Sequence, residues 1–248
     1  MSSNGAIWAS SAPKWLKVGT FVEYTFNSNG ILFSNGTHIP FDNIVPTVYR
    51  WDCIELNETM AVLNVSLDFK KENGNMPISG EIAVGLSNRS VYLPDGTLIG
   101  TSLFWTLSNP VIGTEVILWD VPPDKITATV SEIAQDHPYV FSPTPQGRQK
   151  AFYLHSTGTV NGSTKFISIA CDVDTGVTTD GFLELDPSFE ALNLNSPGRL
   201  GSLDFTDTNI DLGPSENSFE IQSFLPVLAI VAGSIIIFVM VYRNQRKH

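Results

Sequence analysis

Residues 61–69 read AVLNVSLDF, with Ala61, Leu63, Val65, Leu67 and Phe69 alternating with Val62, Asn64, Ser66 and Asp68. Successive side chains of an extended chain point to opposite faces, so this period of two predicts a half-buried strand. The same rhythm occurs on both sides of it. Val22, Tyr24 and Phe26 alternate with Glu23 and Thr25, and Ile167, Ile169 and Cys171 alternate with Ser168 and Ala170. Between such runs stand Asn-Gly pairs at 29–30, 35–36, 73–74 and 161–162, and Asp-Gly pairs at 95–96 and 180–181. These residues accept the positive φ of tight hairpins, and their recurrence favours an antiparallel meander over βαβ units. Helix signals are confined to Asp186–Leu192, where Asp186 reads as a cap and Pro187 as the first helical residue. The expected fold is all-β: an antiparallel sandwich or a strongly curved meander sheet over residues 15–203, after an N-terminal segment 1–14.

The C-terminal part follows different rules. Phe224–Tyr242, FLPVLAIVAGSIIIFVMVY, is 19 residues without a formal charge. A helix of that length spans roughly 28 Å, close to the hydrocarbon thickness of a bilayer, and predicts one transmembrane helix. Arg243, Arg246 and Lys247 follow it, whereas Asp204, Asp207, Asp211, Glu216 and Glu220 precede it in what reads as an acidic stalk, 204–223. Basic residues stay on the cytoplasmic side, so the expected topology is single-pass, with residues 1–223 outside the cell membrane and the 243–248 tail in the cytoplasm. The outer part then holds 25 acids against 11 bases, a net charge of −14. That balance argues against a nucleic-acid partner, because phosphate contacts need Lys and Arg. Residues 1–15 contain no apolar run of signal-peptide length. Either further sequence precedes Met1 or the domain is cytosolic and tail-anchored. The basic tail favours the first, as do sequons at Asn35, Asn57, Asn64, Asn88 and Asn161, which are candidate glycosylation sites.

Cys53 and Cys171 both fall on the apolar faces of predicted strands. In an oxidising compartment they are expected to form one disulfide between distant strands; two buried thiols are the alternative. Asp172, Asp174 and Asp180 have the spacing of positions 1, 3 and 9 of a calcium loop. Gly176 is one place early for such a loop and Leu183 occupies the place of its closing Glu, which leaves a generic acidic candidate for calcium. Asp174-Thr175-Gly176 matches the triplet of aspartic proteases, but that chemistry needs two such loops and the second is missing. The triplet reads instead as a hairpin turn. No zinc or nucleophile-elbow motif is present, so no catalytic residue is assigned and the chain is read as a non-enzyme. The tryptophans, among them Trp15, Trp51, Trp105 and Trp119, read as core anchors.

Three stretches carry a resemblance: Trp15-x-x-Val18-Gly19-Thr20-Phe21-Val22-Glu23-Tyr24, then Val91-Tyr92-Leu93-x-Asp95-Gly96-Thr97-x-Ile99-Gly100-Thr101, and Asp174-Thr175-Gly176-Val177. They resemble uncharacterised archaeal cell-surface proteins with a β-rich ectodomain, a C-terminal anchor and a short basic tail. The opening and the Asp-Thr-Gly hairpin are also similar to half-barrel carriers of the LolA kind, in which a curved sheet holds an acyl chain. The first resemblance implies a binding or structural role at the cell envelope, with the bilayer and other envelope proteins or glycans as partners. The second implies a carrier or sensor of an apolar ligand. A hydrolase with an unrecognised site is the third expectation. No site residue carries over from either family.

Overall fold

The computed structural model describes residues 12–134, 146–147, 150–181 and 186–213. The predicted membrane span Phe224–Tyr242 and its basic tail lie outside the described residues. The fold is all-β and is built from two antiparallel sheets, the larger one curled into a half-barrel.

The larger sheet starts from a long hairpin of β1 (Phe21–Phe33) and β2 (His38–Leu56), then continues through β3 (Met60–Phe69), β4 (Met76–Gly85), β5 (Ser90–Tyr92) and β6 (Leu98–Thr101). The 61–69 stretch becomes β3 in the register expected: Ala61, Leu63, Val65, Leu67 and Phe69 are wholly buried and the residues between them half-exposed. The last two strands of the chain, β12 (Leu194–Ser196) and β13 (Arg199–Thr208), return to the free side of β1 and complete eight strands. The smaller sheet has the order β11-β10-β9-β8-β7, from β7 (Glu115–Val121), β8 (Asp124–Ala134), β9 (Ala151–Val160), β10 (Ser163–Asp172) and β11 (Thr178–Gly181). One helical turn, α1 (Ser188–Ala191), has Pro187 at its N-cap, one residue later than expected, and the Asp186 carboxylate before it accepts from the Ser188 amide at 2.9 Å.

Four of the six Gly-containing pairs are hairpin turns, at 35–36, 73–74, 95–96 and 161–162. The other two are not. Asn29-Gly30 runs through β1 at a register shift, where a Cβ on Gly30 would come within 2.8 Å of the Ile39 carbonyl on β2. Asp180-Gly181 ends β11, and the missing Cβ lets Gly181 lie against the Ser168 carbonyl of β10. In both places glycine supplies closeness rather than a turn.

Residues 204–213, expected to open the acidic stalk, belong to the folded domain, and 214–223 lie outside the described residues. Leu203, Phe205, Ile210 and Leu212 are buried, and Asp204 and Asp207 sit on the outer face of β13 opposite Thr25 and Glu23. An alternating strand with an acidic outer face has the composition of a polar linker, and only the pairing with β1 tells them apart.

The inner face of the curled sheet is a filled core. Trp51, Tyr24, Tyr49, Phe69 and Phe205 meet Phe104 and Trp105 from the segment that links the sheets. Trp51 stacks on Phe104 with centroids 5.4 Å apart, and Trp15 packs edge-on against Trp105 at 5.9 Å. The smaller sheet has its own, mainly aliphatic cluster, including Val116, Leu118, Ile126, Leu154, Ile167 and Ile169. Several polar links join the two. Tyr24 donates its hydroxyl to the Thr178 carbonyl at 2.7 Å, and Trp15 its indole N–H to the Thr175 carbonyl at 2.8 Å. Arg89, 2% exposed, donates to the carbonyls of Ser102 and Trp105 and to that of Ile117 on β7.

Candidate binding recess

The register of four strands builds the site. Glu55 on β2 pairs with Val62 on β3, Val62 with Ala83 on β4, and Ala83 with Tyr92 on β5. These four residues therefore form one row across the solvent face of the curled sheet. Asp52, Asn64 and Glu81 form the neighbouring row. Beyond Tyr92 the chain turns away into the β5–β6 hairpin, whose tip is fixed by the Thr97 amide donating to Asp95 at 2.9 Å and by Gly96 at φ +87°. β5 meets β4 only at Ala83 and Val84, and Leu93, Pro94 and Gly96 of the hairpin stand beside that short pairing. The result is an open recess of about 540 Å³ lined by Val62, Ile82 and Ala83 of the sheet, by Tyr92, Leu93 and Pro94, and by Glu55 and Glu81. Its size is that of a small-molecule or side-chain pocket.

Chemically, an apolar lining beside two carboxylates and a phenol accommodates an aliphatic chain that ends in a cation. An ammonium or guanidinium group pairs with these exposed carboxylates, while its methylene stem covers the apolar lining. The wider outer face is acidic too. Glu23, Asp52, Asp68 and Asp204 project from it, and Arg50, stacked 3.9 Å over the Phe21 ring, pairs with Asp52 at 2.6 Å and Glu23 at 3.7 Å.

The residues singled out in the sequence lie elsewhere and do not assemble. Asp172 is buried and caps its own turn, accepting from the Thr175 amide at 2.8 Å and the Thr175 hydroxyl at 2.6 Å. Burial pushes its carboxyl up, against the pull of the Thr175 donors. Asp174 is exposed at the tip of that turn, and Asp180 lies on β11 opposite Ala170. Among the described residues no three His, Cys, Asp or Glu side chains are grouped to hold a metal ion, so Asp172, Asp174 and Asp180 do not come together as the generic acidic candidate for calcium. The Asp-Thr-Gly triplet is a hairpin turn, with Gly176 at φ +75° and its Cα side pressed on the Leu107 and Thr106 carbonyls. Asp172 rather than Asp174 supplies the side-chain acceptor.

The expected disulfide is absent as well: Cys53 and Cys171 are both buried free thiols. They share the faces expected for them, but these faces belong to different cores, Cys53 to the curled sheet and Cys171 to the smaller one. Cys53 donates weakly to the Glu55 carbonyl at 3.5 Å, and the Cys171 sulfur lies 3.6 Å from the Thr178 hydroxyl. Burial raises the Cys53 thiol and pushes that of Cys171 up to about 11, which disfavours the reactive thiolate form.

Of the sequons, Asn35, Asn57 and Asn161 stand exposed in hairpin turns, Asn88 is half-buried in the turn before β5, and Asn64 lies mid-strand on the outer face beside the recess. A second polar group is closed to solvent. Tyr49 donates to Asp186 and lies 2.7 Å from the Ser188 hydroxyl, with Tyr49 and Ser188 wholly buried. Burial raises both the Tyr49 hydroxyl and the Asp186 carboxyl. This trio bolts α1 to β2.

Compared with protein-family models, curated proteins and solved structures, the chain matches none.

Proposed function

We propose that this chain is a membrane-anchored surface protein whose β domain binds a partner at the recess on β2–β5, without catalysing a reaction. The observation that carries this reading is the recess itself, an apolar lining beside Glu55 and Glu81 on the solvent face of a sheet whose opposite face is filled. The partner it fits is a lysine- or arginine-bearing segment of an envelope protein, docked through the long aliphatic stem and the charge of one side chain. The outward topology is supported by the bases that follow Tyr242, by the net charge of −14 before it, and by sequons that stand mostly in exposed turns.

The alternative of an apolar carrier needs an unfilled concavity, and here the aromatic side chains occupy the inner face themselves. The reading is tested by calorimetric titration of the protein with a lysine-rich peptide, using the same peptide with acetylated lysines as a control. Binding weakened on the order of tenfold in the Glu55→Gln/Glu81→Gln variant is expected, equivalent to the loss of one charge-assisted contact. Equal affinity for both peptides, or no change in the variant, would contradict it.

A further inference from the structure

We infer that the end of the domain from which the chain runs toward the span rests on the lipid bilayer, with Val18, Val111 and Ile112 entering the membrane interface. The inference depends on the membrane-anchor reading above and extends it to a second, lipid-binding surface.

The topology brings the relevant segments to one end. Val22 of β1 pairs with Thr208 of β13, so the start of one strand lies beside the finish of the other. Asn209 then clamps the exit, accepting from the Phe21 amide at 3.0 Å and donating to the Gly19 carbonyl at 2.8 Å. Gln146 holds the next residues, donating to the Ile210 carbonyl at 2.6 Å and accepting from the Leu212 amide at 2.9 Å. The chain is thus held as far as Leu212. Residues 214–223, ten in number, separate Gly213 from Phe224, and a fully extended chain of that length reaches roughly 35 Å at most. A span that begins at Phe224 therefore enters the bilayer within that reach of Gly213.

The same end carries the two most exposed large aliphatic side chains of the described residues, Val111 at 70% and Ile112 at 66%, and also Val18 at 60%, which is matched elsewhere by Ile44 at 61%. Their loops are tied together. The Asn109 amide donates to the Val173 carbonyl at 2.6 Å, the Val173 amide to the Lys150 carbonyl at 2.9 Å, and the Trp15 indole to the Thr175 carbonyl. Ile44 and Phe166 are also exposed, but each stands singly on a strand, β2 and β10, well away from this end. Adjacent aliphatics at a loop tip gain nothing in water, and interfacial burial is the environment that suits them. Lys14, Lys17 and Lys150 share this end with Glu58, Asp174 and Asp211, all exposed. Charge of both signs leaves apolar insertion to carry the contact, and zwitterionic lipid is then sufficient.

The test uses the full chain in phosphatidylcholine vesicles that contain a nitroxide-bearing lipid. An environment-sensitive fluorophore is placed in turn at Val18→Cys, Ile112→Cys, Asn73→Cys and Ile235→Cys, with the unmutated chain as the labelling background. Quenching is expected at 18, 112 and 235 and absent at 73, which lies in the β3–β4 turn at the opposite end. The double variant Val111→Asp/Ile112→Asp is expected to lose quenching at position 18 while position 235 keeps it. Quenching at 235 with none at 18 and 112 overturns the docking and leaves the anchor standing, as does quenching at 18 that survives the double variant. No quenching at 235 overturns the anchor and the docking with it.

Discussion

The two sheets solve the same packing problem with different materials. The curled sheet fills its concave face with rings, Trp51, Tyr24, Tyr49 and Phe69 among them, whereas the five-stranded sheet uses Val116, Leu118, Ile126, Leu154, Ile167 and Ile169 with few aromatics. Curvature explains the difference. A wide concave surface needs side chains that reach inward, and Trp, Tyr and Phe cover more area per residue than aliphatics do. Rings with polar tips bring a second consequence. Tyr24 and Tyr49 must find partners when buried, and they find them in Thr178 of the other sheet and in Asp186 beside α1. The aromatic core is therefore the part of the molecule that fastens the rest to itself.

That contrast can be broken by mutation. Trp51→Ala removes a wholly buried indole and is expected to cost about 4–5 kcal/mol, against about 3 kcal/mol for Leu118→Ala in the smaller core. Urea unfolding measures both. A near-neutral Trp51→Ala would mean that the concave face is loosely filled after all.

Arg89→Ala tests the fastening. Three carbonyls lose a buried cationic donor, and destabilisation on the order of 4 kcal/mol is expected. Because one of those carbonyls belongs to β7, probes in the two sheets are expected to report one coincident unfolding transition in the parent protein and two separate ones in the variant. Arg50→Ala is the control. It also breaks ion pairs, but on the half-exposed outer face, where less than about 1 kcal/mol is expected.

A smaller effect, of opposite sign, is expected at Asp180. Burial and the nearby Asp204 raise its carboxyl to about 6, while Arg199 pulls it down. An acid whose folded pKa lies above its unfolded value of 3.8 binds protons more readily when folded, so its burial costs most above pH 6 and nothing below pH 3.8. Acidification from pH 7 to 4 therefore removes a penalty of up to about 3 kcal/mol from this group. Asp180→Asn keeps an acceptor for the Gly181 amide, and should raise stability at pH 7 while flattening the pH dependence between 4 and 6. An unchanged pH profile would contradict this account of the carboxyl.

The strands were legible because alternation is local. Ala61 to Phe69 declares both faces of β3 within nine residues, and most Asn-Gly pairs mark turns that need only their own dihedrals. What pairing alone creates was not legible. Glu55, Val62, Ala83 and Tyr92 are strangers in sequence and become one row only through three registers. The recess also takes Leu93, Pro94 and Gly96 from the β5–β6 turn, which no strand pattern announces. Arg89 gave no sign of burial, since a cation in Ser-Asn-Arg-Ser reads as a solvated turn, and its role depends on three distant carbonyls. The cysteines illustrate the same limit: each sits on an apolar face as read, but the sequence does not say that those faces belong to separate cores. The acids of 204–211 read as a stalk because the partner strand, β1, is some 180 residues away.

The central claim is that the curled sheet binds on its solvent face and is closed on its inner face. Methyl NMR of the full chain in detergent or bilayer discs tests it in a single spectrum, because Val62 and Ala83 lie on the outer face while Val65 and Val84 of the same two strands are wholly buried. On titration with the lysine-rich peptide, the Val62 and Ala83 methyls are expected to shift and those of Val65 and Val84 to stay in place. Addition of a fatty acid is expected to leave all four unmoved. A saturable shift of Val65 and Val84 with the fatty acid would contradict the account and restore the carrier reading.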